Sequence, residues 1–230
     1  MNTLQEIQSE LDIVLGFSEQ VRLTTEKRTA AINQSLIILY GLLSDSPILK
    51  NSTTITLDSS EAVSPTQAIA SPPSDFNDGT VLYMGDSSTW NNSSEVYEVD
   101  GQRYGRWDSE DYYVFTREYN ADTNDLEFWF KGVASGTFYM EYIKAAPTLS
   151  NSTDVDGLPK ATKHITAKLA SGILIDNILS DTTRMQIFLY GASGNPSRYT
   201  PDSVYGLLQS VIKGRRIRKQ TTRTTQITLT

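Results

Sequence analysis

Residues 25–57, TEKRTAAINQSLIILYGLLSDSPILKNSTTITL, decide the fold, because the spacing of the apolar side chains changes within them. In the first half Ala31, Ile32, Leu36, Leu39 and Leu43 recur every three or four residues, the period of one helix face. Thr24 or Thr25 is placed to cap that helix, Ile38 and Leu42 widen its apolar face, and Asp45 to Pro47 breaks it. From Asn51 the period changes, and Thr53 to Leu57 is β-prone. Helix gives way to sheet.

On the N-terminal side, Thr3 and Glu6 have capping-box spacing, and Leu4, Ile7, Leu11 and Leu15 then mark a short amphipathic helix that stops at Gly16. On the C-terminal side, residues 58–80 are dense in Ser, Pro, Asp and Gly and are expected to be strand-connecting loops. Val81 to Met84, Val96 to Val99, Asp125 to Lys131 and Thr137 to Lys144 are predicted strands, the last two forming a hairpin across Gly132 to Gly136. Between them, Asp108 or Ser109 is expected to start a brief helix through Tyr112, Tyr113 and Phe115. Of the 22 aromatic residues 16 lie between positions 76 and 142, enough to give this stretch a core of its own.

Helical spacing resumes at Leu158-Pro159, with Ile165, Leu169 and Ile173 four apart. Asp181 is placed to cap a further helix carrying Met185, Phe188 and Leu189, which Gly191 ends. After a loop to Tyr199, Thr200-Pro201 opens another, with Val204, Leu207, Leu208, Val211 and Ile212 as its stripe. The terminal stretch IRKQTTRTTQITLT, 217–230, alternates loosely and is suited to pairing with another chain's sheet edge.

Composition excludes much of catalysis. Without cysteine and with a single histidine, His164, the chain lacks Cys nucleophiles, Cys-rich zinc sites and His clusters. No apolar run of spanning length and no signal-peptide pattern are seen, so a soluble, cytosol-made protein is expected. The apolar share of 38% points to a thin or shared core. The net charge of −7 is unevenly placed: residues 1–150 carry 9 Lys/Arg against 22 Asp/Glu, and residues 151–230 carry 11 against 5. Past Asp202 every charge is positive, namely Lys213, Arg215, Arg216, Arg218, Lys219 and Arg223. Such a run suits phosphate contact or docking on an acidic protein surface; interleaved Thr and Ile without stacking aromatics favour the protein, and a solvated tail is the bland reading.

Three other constellations have plainer readings. Asp108, Glu110 and Asp111 offer paired carboxylates for acid/base work on carbohydrate, but a helix-start cluster favoured by the dipole is the expected reading. Asp122, Asn124, Asp125 and Glu127 have a hint of oxygen-ligand spacing, yet lack the order and glycine of a calcium loop, so a polar turn is expected. His164 has no second histidine to join it, and a packing or surface role is expected.

Several stretches together resemble the head-to-tail connector (adaptor) proteins of tailed double-stranded-DNA phages. TLQEIQSELDIVLG is similar to that family's opening helix, and TEKRTAAINQSL to its second, with Ile32-Asn33 at the characteristic place. VDGQRYGRWDSEDYY, 99–113, resembles its strand, turn and short helix. NDLEFWF, then GTFYMEYIKAAPTLSNSTD, resembles its last hairpin and the exit toward DGLPKATKHITAKLASGIL. Two features depart from the pattern: the long Ser/Thr/Asn/Pro-rich stretch 51–95 and the extended basic tail.

The resulting expectation is an α+β fold: a mostly antiparallel α-helical bundle (1–50 and 151–214), an inserted antiparallel β domain (51–150) and an extended C-terminal docking tail (215–230). The resemblance implies a structural virion protein of the neck, without catalysis, metal or cofactor. It implies a homo-oligomeric ring, usually of twelve copies, beneath the portal protein, extending the channel through which DNA passes without sequence-specific binding, and offering a platform to tail or neck proteins. It also places portal docking on the tail, where Arg215, Arg216, Ile217, Arg218, Lys219, Arg223, Ile227 and Leu229 are the candidate contacts. The alternatives are another neck or tail-completion protein and, more remotely, a carbohydrate-active enzyme built on Asp108, Glu110 and Asp111.

Overall fold

Thr3 and Glu6 close a reciprocal cap: Thr3 Oγ1 accepts the Glu6 N–H at 3.2 Å, and Glu6 Oε2 accepts the Thr3 N–H at 2.9 Å. The helix they start, α1 (Leu4–Leu15), buries Leu4, Ile7, Leu11 and Leu15 and ends at Gly16 with φ +73°. This computed structural model describes residues 1–16, 23–57, 62–64, 67–84, 94–101, 113–131 and 136–213. The chain divides into two compact units, Met1–Leu49 with the chain from Ala146 onward, and Lys50–Ala145.

In the first unit α2 (Thr25–Leu42) starts at Thr24, whose side chain accepts the Lys27 N–H, and it buries Ala31, Ile32, Leu36 and Leu39. A 3-10 turn, Lys160–Thr162, follows Pro159 and leads into α3 (Lys163–Leu174), which packs against both α1 and α2 through Ile165, Ala167, Leu169 and Ala170. Asp181 Oδ1 accepts the N–H groups of Thr183 and Arg184 and starts α4 (Thr182–Tyr190). Gly172 in α3 lies so close to the Phe188 ring that a Cβ there would sit 2.5 Å from it. A last helix, α5 (204–213), buries Val204 and Leu208.

A buried polar knot ties the ends of this unit together. Asp156, fully buried, accepts from the Asn2 N–H at 2.9 Å, the Asn2 side-chain amide at 2.8 Å and the Leu158 N–H at 3.0 Å. Its own N–H donates to Asn2 O, and its carbonyl accepts the Tyr40 hydroxyl at 2.8 Å. Polar groups that lose water in a core must be paired. The knot is how the chain pairs them.

The second unit holds eight strands: β1 (Lys50–Leu57), β2 (Ala62–Ser64), β3 (Gln67–Ala70), β4 (Phe76–Met84), β5 (Ser94–Glu98), β6 (Tyr113–Tyr119), β7 (Leu126–Lys131) and β8 (Gly136–Lys144). Their pairing order is β1-β8-β4-β5-β6-β7-β3-β2, in two sheets joined through β5. Both sheets feed one core, in which Phe115, Phe128 and Phe130 meet Ile55, Phe138 and Met140. The Phe130 and Phe138 rings lie 4.5 Å apart between centroids, tilted by 32°.

Three expectations are corrected. The fold is mixed α/β, five helices beside two sheets, and not a mostly antiparallel helical bundle with an inserted antiparallel β domain. Strand formation is more extensive than the residue pattern suggests, since β2, β3 and the first half of β4 fall in the loop-like stretch 58–80, and β5 pairs with β6 in parallel. Secondly, the predicted hairpin of Asp125–Lys131 with Thr137–Lys144 does not form: β7 pairs with β6 and β3, and β8 with β1 and β4. The two strands belong to different sheets, each taken up on both edges by other partners, and their Phe130 and Phe138 side chains meet in the shared core instead of sharing a ladder. Thirdly, Tyr113 and Phe115 belong to strand β6 and not to a brief helix. Their aromatic and β-branched neighbours favour the pleated form.

Candidate functional site

Large aliphatic side chains stand in water on the helical unit. Each of its helices must bury one face, and residues outside that face have nothing to cover them within the unit. Ile13 on α1 is 75% exposed and Ile37 on α2 57%. Ile175, just beyond α3, and Ile187 on α4 are also exposed. On α2 the cause is local: Leu36, Ile37, Ile38 and Leu39 are consecutive, and no single helix face accepts four residues in a row. Leu36 and Leu39 go to the core, and Ile37 is left outside. Among the described residues of the β unit, the exposed large apolar side chains are tyrosines, Tyr97 and Tyr119.

The same helical unit contains an ion cluster. Glu10 on α1 meets His164 Nδ1 at 2.9 Å and Lys163 Nζ at 3.3 Å, both at the start of α3. The hydrogen bond with His164, assisted by Lys163, holds the Glu10 carboxyl below its usual range. Because its folded value lies below its unfolded one, the clasp contributes fully above about pH 5, and its contribution drains away as pH falls through the folded value. Glu10→Gln is therefore expected to flatten the acid limb of a melting-temperature profile below about pH 5. Identical acid limbs for the two proteins would show the clasp to be energetically silent.

In the β unit the charged centre is Arg117, on β6. Its Nη1 lies 2.7 Å from Asp78 Oδ1, one terminal amine donates to Gly79 O and 2.9 Å away to Glu98 Oε2, and Nε sits 2.8 Å from Glu98 Oε1, out of hydrogen-bond alignment. The guanidinium also stands 5.7 Å from the centre of the Phe76 ring. Hydrogen bonding from Arg117 keeps the Asp78 carboxyl below the ordinary range. Beside it a cleft of about 300 Å³ is lined by Lys50, Asp78, Glu98, Arg117, Glu141 and Tyr142. Burial, then the bond to Asp75, pushes the Tyr142 hydroxyl upward, so it stays protonated as it donates to Asp75 Oδ1 at 2.8 Å. Three of the cleft's charges, Arg117, Asp78 and Glu98, are paired with one another and serve as a structural strut.

Compared with protein-family models and with curated proteins, the chain matches none. The residues must therefore speak for themselves. Of those singled out in the sequence, Arg215, Arg216, Ile217, Arg218, Lys219, Arg223, Ile227 and Leu229 lie outside the described residues, as do Asp108, Glu110 and Asp111. Asp122, Asn124 and Asp125 form the polar turn expected of them, with Asn120 Oδ1 accepting the N–H groups of Asp122 and Thr123 and Asn124 taking φ +59°, whereas Glu127 lies in strand β7. His164 is on the surface with Glu10 as its partner. Among the described residues no cluster of three or more His, Asp or Glu is arranged to hold a metal ion, and no helix is long and apolar enough to cross a membrane. Sequence reasoning missed Arg117, whose partners lie 19 and 39 residues away. It also missed Ile37, which the run of four aliphatic residues could have disclosed.

Proposed function

We propose that the chain is a head-to-tail adaptor of a tailed double-stranded-DNA phage, assembling as a ring beneath the portal, extending the DNA channel and presenting a platform to the tail. The observation that supports this reading is the exposed aliphatic surface of the helical unit, Ile13, Ile37, Ile175 and Ile187. Helices that are apolar on more than one side gain stability when the surplus surface is buried against a partner. In a closed ring each subunit offers one face and receives another, so different helices of the same unit carry the two halves of the interface. The acidic balance of residues 1–150 suits a channel wall that must not hold phosphate. In this reading the basic segment from Arg215 onward docks on an acidic surface of the portal.

The test is mass photometry of the chain alone and mixed with the portal ring from the same genome. The expected result is saturable mass added in steps of the 25.6 kDa subunit. Ile37→Glu should abolish the added mass while leaving the melting temperature within about 2 °C, since a side chain 57% exposed contributes little to the isolated fold. A chain that adds no mass to the portal is not its adaptor. A variant that assembles like the parent shows that the α2 surface is not the interface.

A further inference from the structure

The tip of the β6–β7 hairpin holds a recess of about 440 Å³ that plays no part in the roles above. It is lined by Glu118, Tyr119, Asn120, Ala121, Glu127 and Trp129. The strand register sets Glu118 directly opposite Glu127, two like charges across a ladder, an arrangement that costs stability. Local conflicts of this kind mark places where a fold has been shaped for something besides its own stability. Tyr119 is 68% exposed, with no ring or hydrogen-bond partner among the described residues.

The recess is fixed in shape. Asn120 is locked by the turn: its N–H donates to Asp125 O at 2.9 Å, its carbonyl accepts from the Asn124 N–H at 2.8 Å, and its Oδ1 accepts from Asp122 and Thr123. The Asn120 amide is thereby aimed at Glu127 Oε1, 2.8 Å away, and Trp129 Nε1 donates to Glu127 Oε2 at 3.0 Å. With its single N–H occupied, the indole offers a ring surface and nothing else. The Glu118 carboxylate has no partner among the described residues and remains an acceptor.

We propose that this recess binds a neutral saccharide. Aromatic surface suits the C–H face of a pyranose, whose hydrogens carry partial positive charge and favour the negative face of a ring. The carboxylates accept hydroxyl donors in charge-assisted hydrogen bonds, and ordering them in advance spares the ligand that cost. An arginine side chain is the obvious rival. A guanidinium fork takes both oxygens of one carboxylate; both Glu127 oxygens already accept from the protein, which leaves a fork only Glu118, whereas a hydroxyl needs one remaining lone pair and so finds acceptors on both carboxylates. The recess is lined by two carboxylates, Glu118 and Glu127, and by no Lys or Arg, which disfavours uronic and sialic acids. The inference stands apart from the adaptor reading and survives if that reading fails.

The experiment follows the Trp129 indole N–H resonance of the full chain, assigned with Trp129→Phe, during titration with neutral di- and oligosaccharides, oligogalacturonate and an oligo-arginine peptide. The expected result is a saturable shift with neutral saccharide and none with oligogalacturonate. Tyr119→Ala and Glu118→Gln, both at exposed positions, should each weaken that binding about tenfold with the circular dichroism unchanged, while Asp45→Asn leaves it alone. No shift with any neutral saccharide overturns the proposal. A shift with oligo-arginine alone overturns it in favour of a basic protein partner.

Discussion

Replacing Asp156 by Ala is expected to destabilise the helical unit by about 3–5 kcal/mol, the largest effect of any single substitution considered for this chain. The side chain is fully buried and accepts three hydrogen bonds, so its removal orphans the Asn2 and Leu158 N–H groups in a place water does not reach. The Asn2 amide would retain only its bond to Pro159 O at 3.2 Å. Asp156→Asn keeps the shape but turns one acceptor into a donor facing the Asn2 amide, and a loss of about 1–3 kcal/mol is expected. Urea denaturation followed by helical circular dichroism measures both. A midpoint for Asp156→Ala within experimental error of the parent would mean that the knot contributes nothing. A companion change, Gly157→Ala, is strained on two counts: Gly157 has φ +69°, and an added Cβ would lie 2.5 Å from the Tyr40 hydroxyl oxygen.

Arg117→Met is the second large effect, and it belongs to the β unit. Among the described residues β4 pairs with β5 at Tyr83 and Met84, and upstream of these Arg117 links its edge to β5 and β6, reaching Asp78 and the Gly79 carbonyl on one side and Glu98 on the other. The Asp78 carboxylate is 61% exposed and that of Glu98 37%, so solvent screening takes away much of the Coulombic gain. What remains, with the carbonyl bond and the ring contact to Phe76, comes to about 2 kcal/mol. For a unit of this size that is about 8–15 °C in melting temperature. Arg117→Lys should recover less than half of it, because a single ammonium cannot reach three acceptors placed around a planar fork. Full recovery by Lys would show that charge alone, without geometry, holds the strand.

These two centres also show what was legible in the residues. Helix starts were: Thr3 with Glu6, Thr24 and Asp181 all cap where their spacing said they would, because capping is settled within four residues. The buried stripe of α2 and the polar turn after Asn120 were legible for the same reason. The Asn2–Asp156 and Arg117–Asp78 pairs were not, since each joins residues far apart in the chain. Strand partners failed in the same way. The alternation in 126–131 and 137–144 gave two strands correctly, but alternation is silent about which strand lies alongside, and proximity in sequence suggested the wrong one. β2 and β3 were hidden by Ser, Pro and Gln in short segments whose side chains alone show little preference.

The pairing of β1 with β8 bears on how the chain folds as it is made. Lys50 is the ladder partner of Ile143, so the β unit's first and last strands lie side by side, with strand ends about 5 Å apart. The partners of α1 and α2 lie in α3, more than 100 residues downstream, and at about 5–20 residues per second the ribosome delivers α3 several seconds after α2. During that wait Ile7, Leu11, Ile32 and Leu36 have no α3 to cover them. Once the sheet has closed, the long intervening loop becomes a short tether, which removes about 1–1.5 kcal/mol of closure entropy from the meeting of the helices. On the nascent chain, the β unit acts as a clip that gathers the two halves of its host.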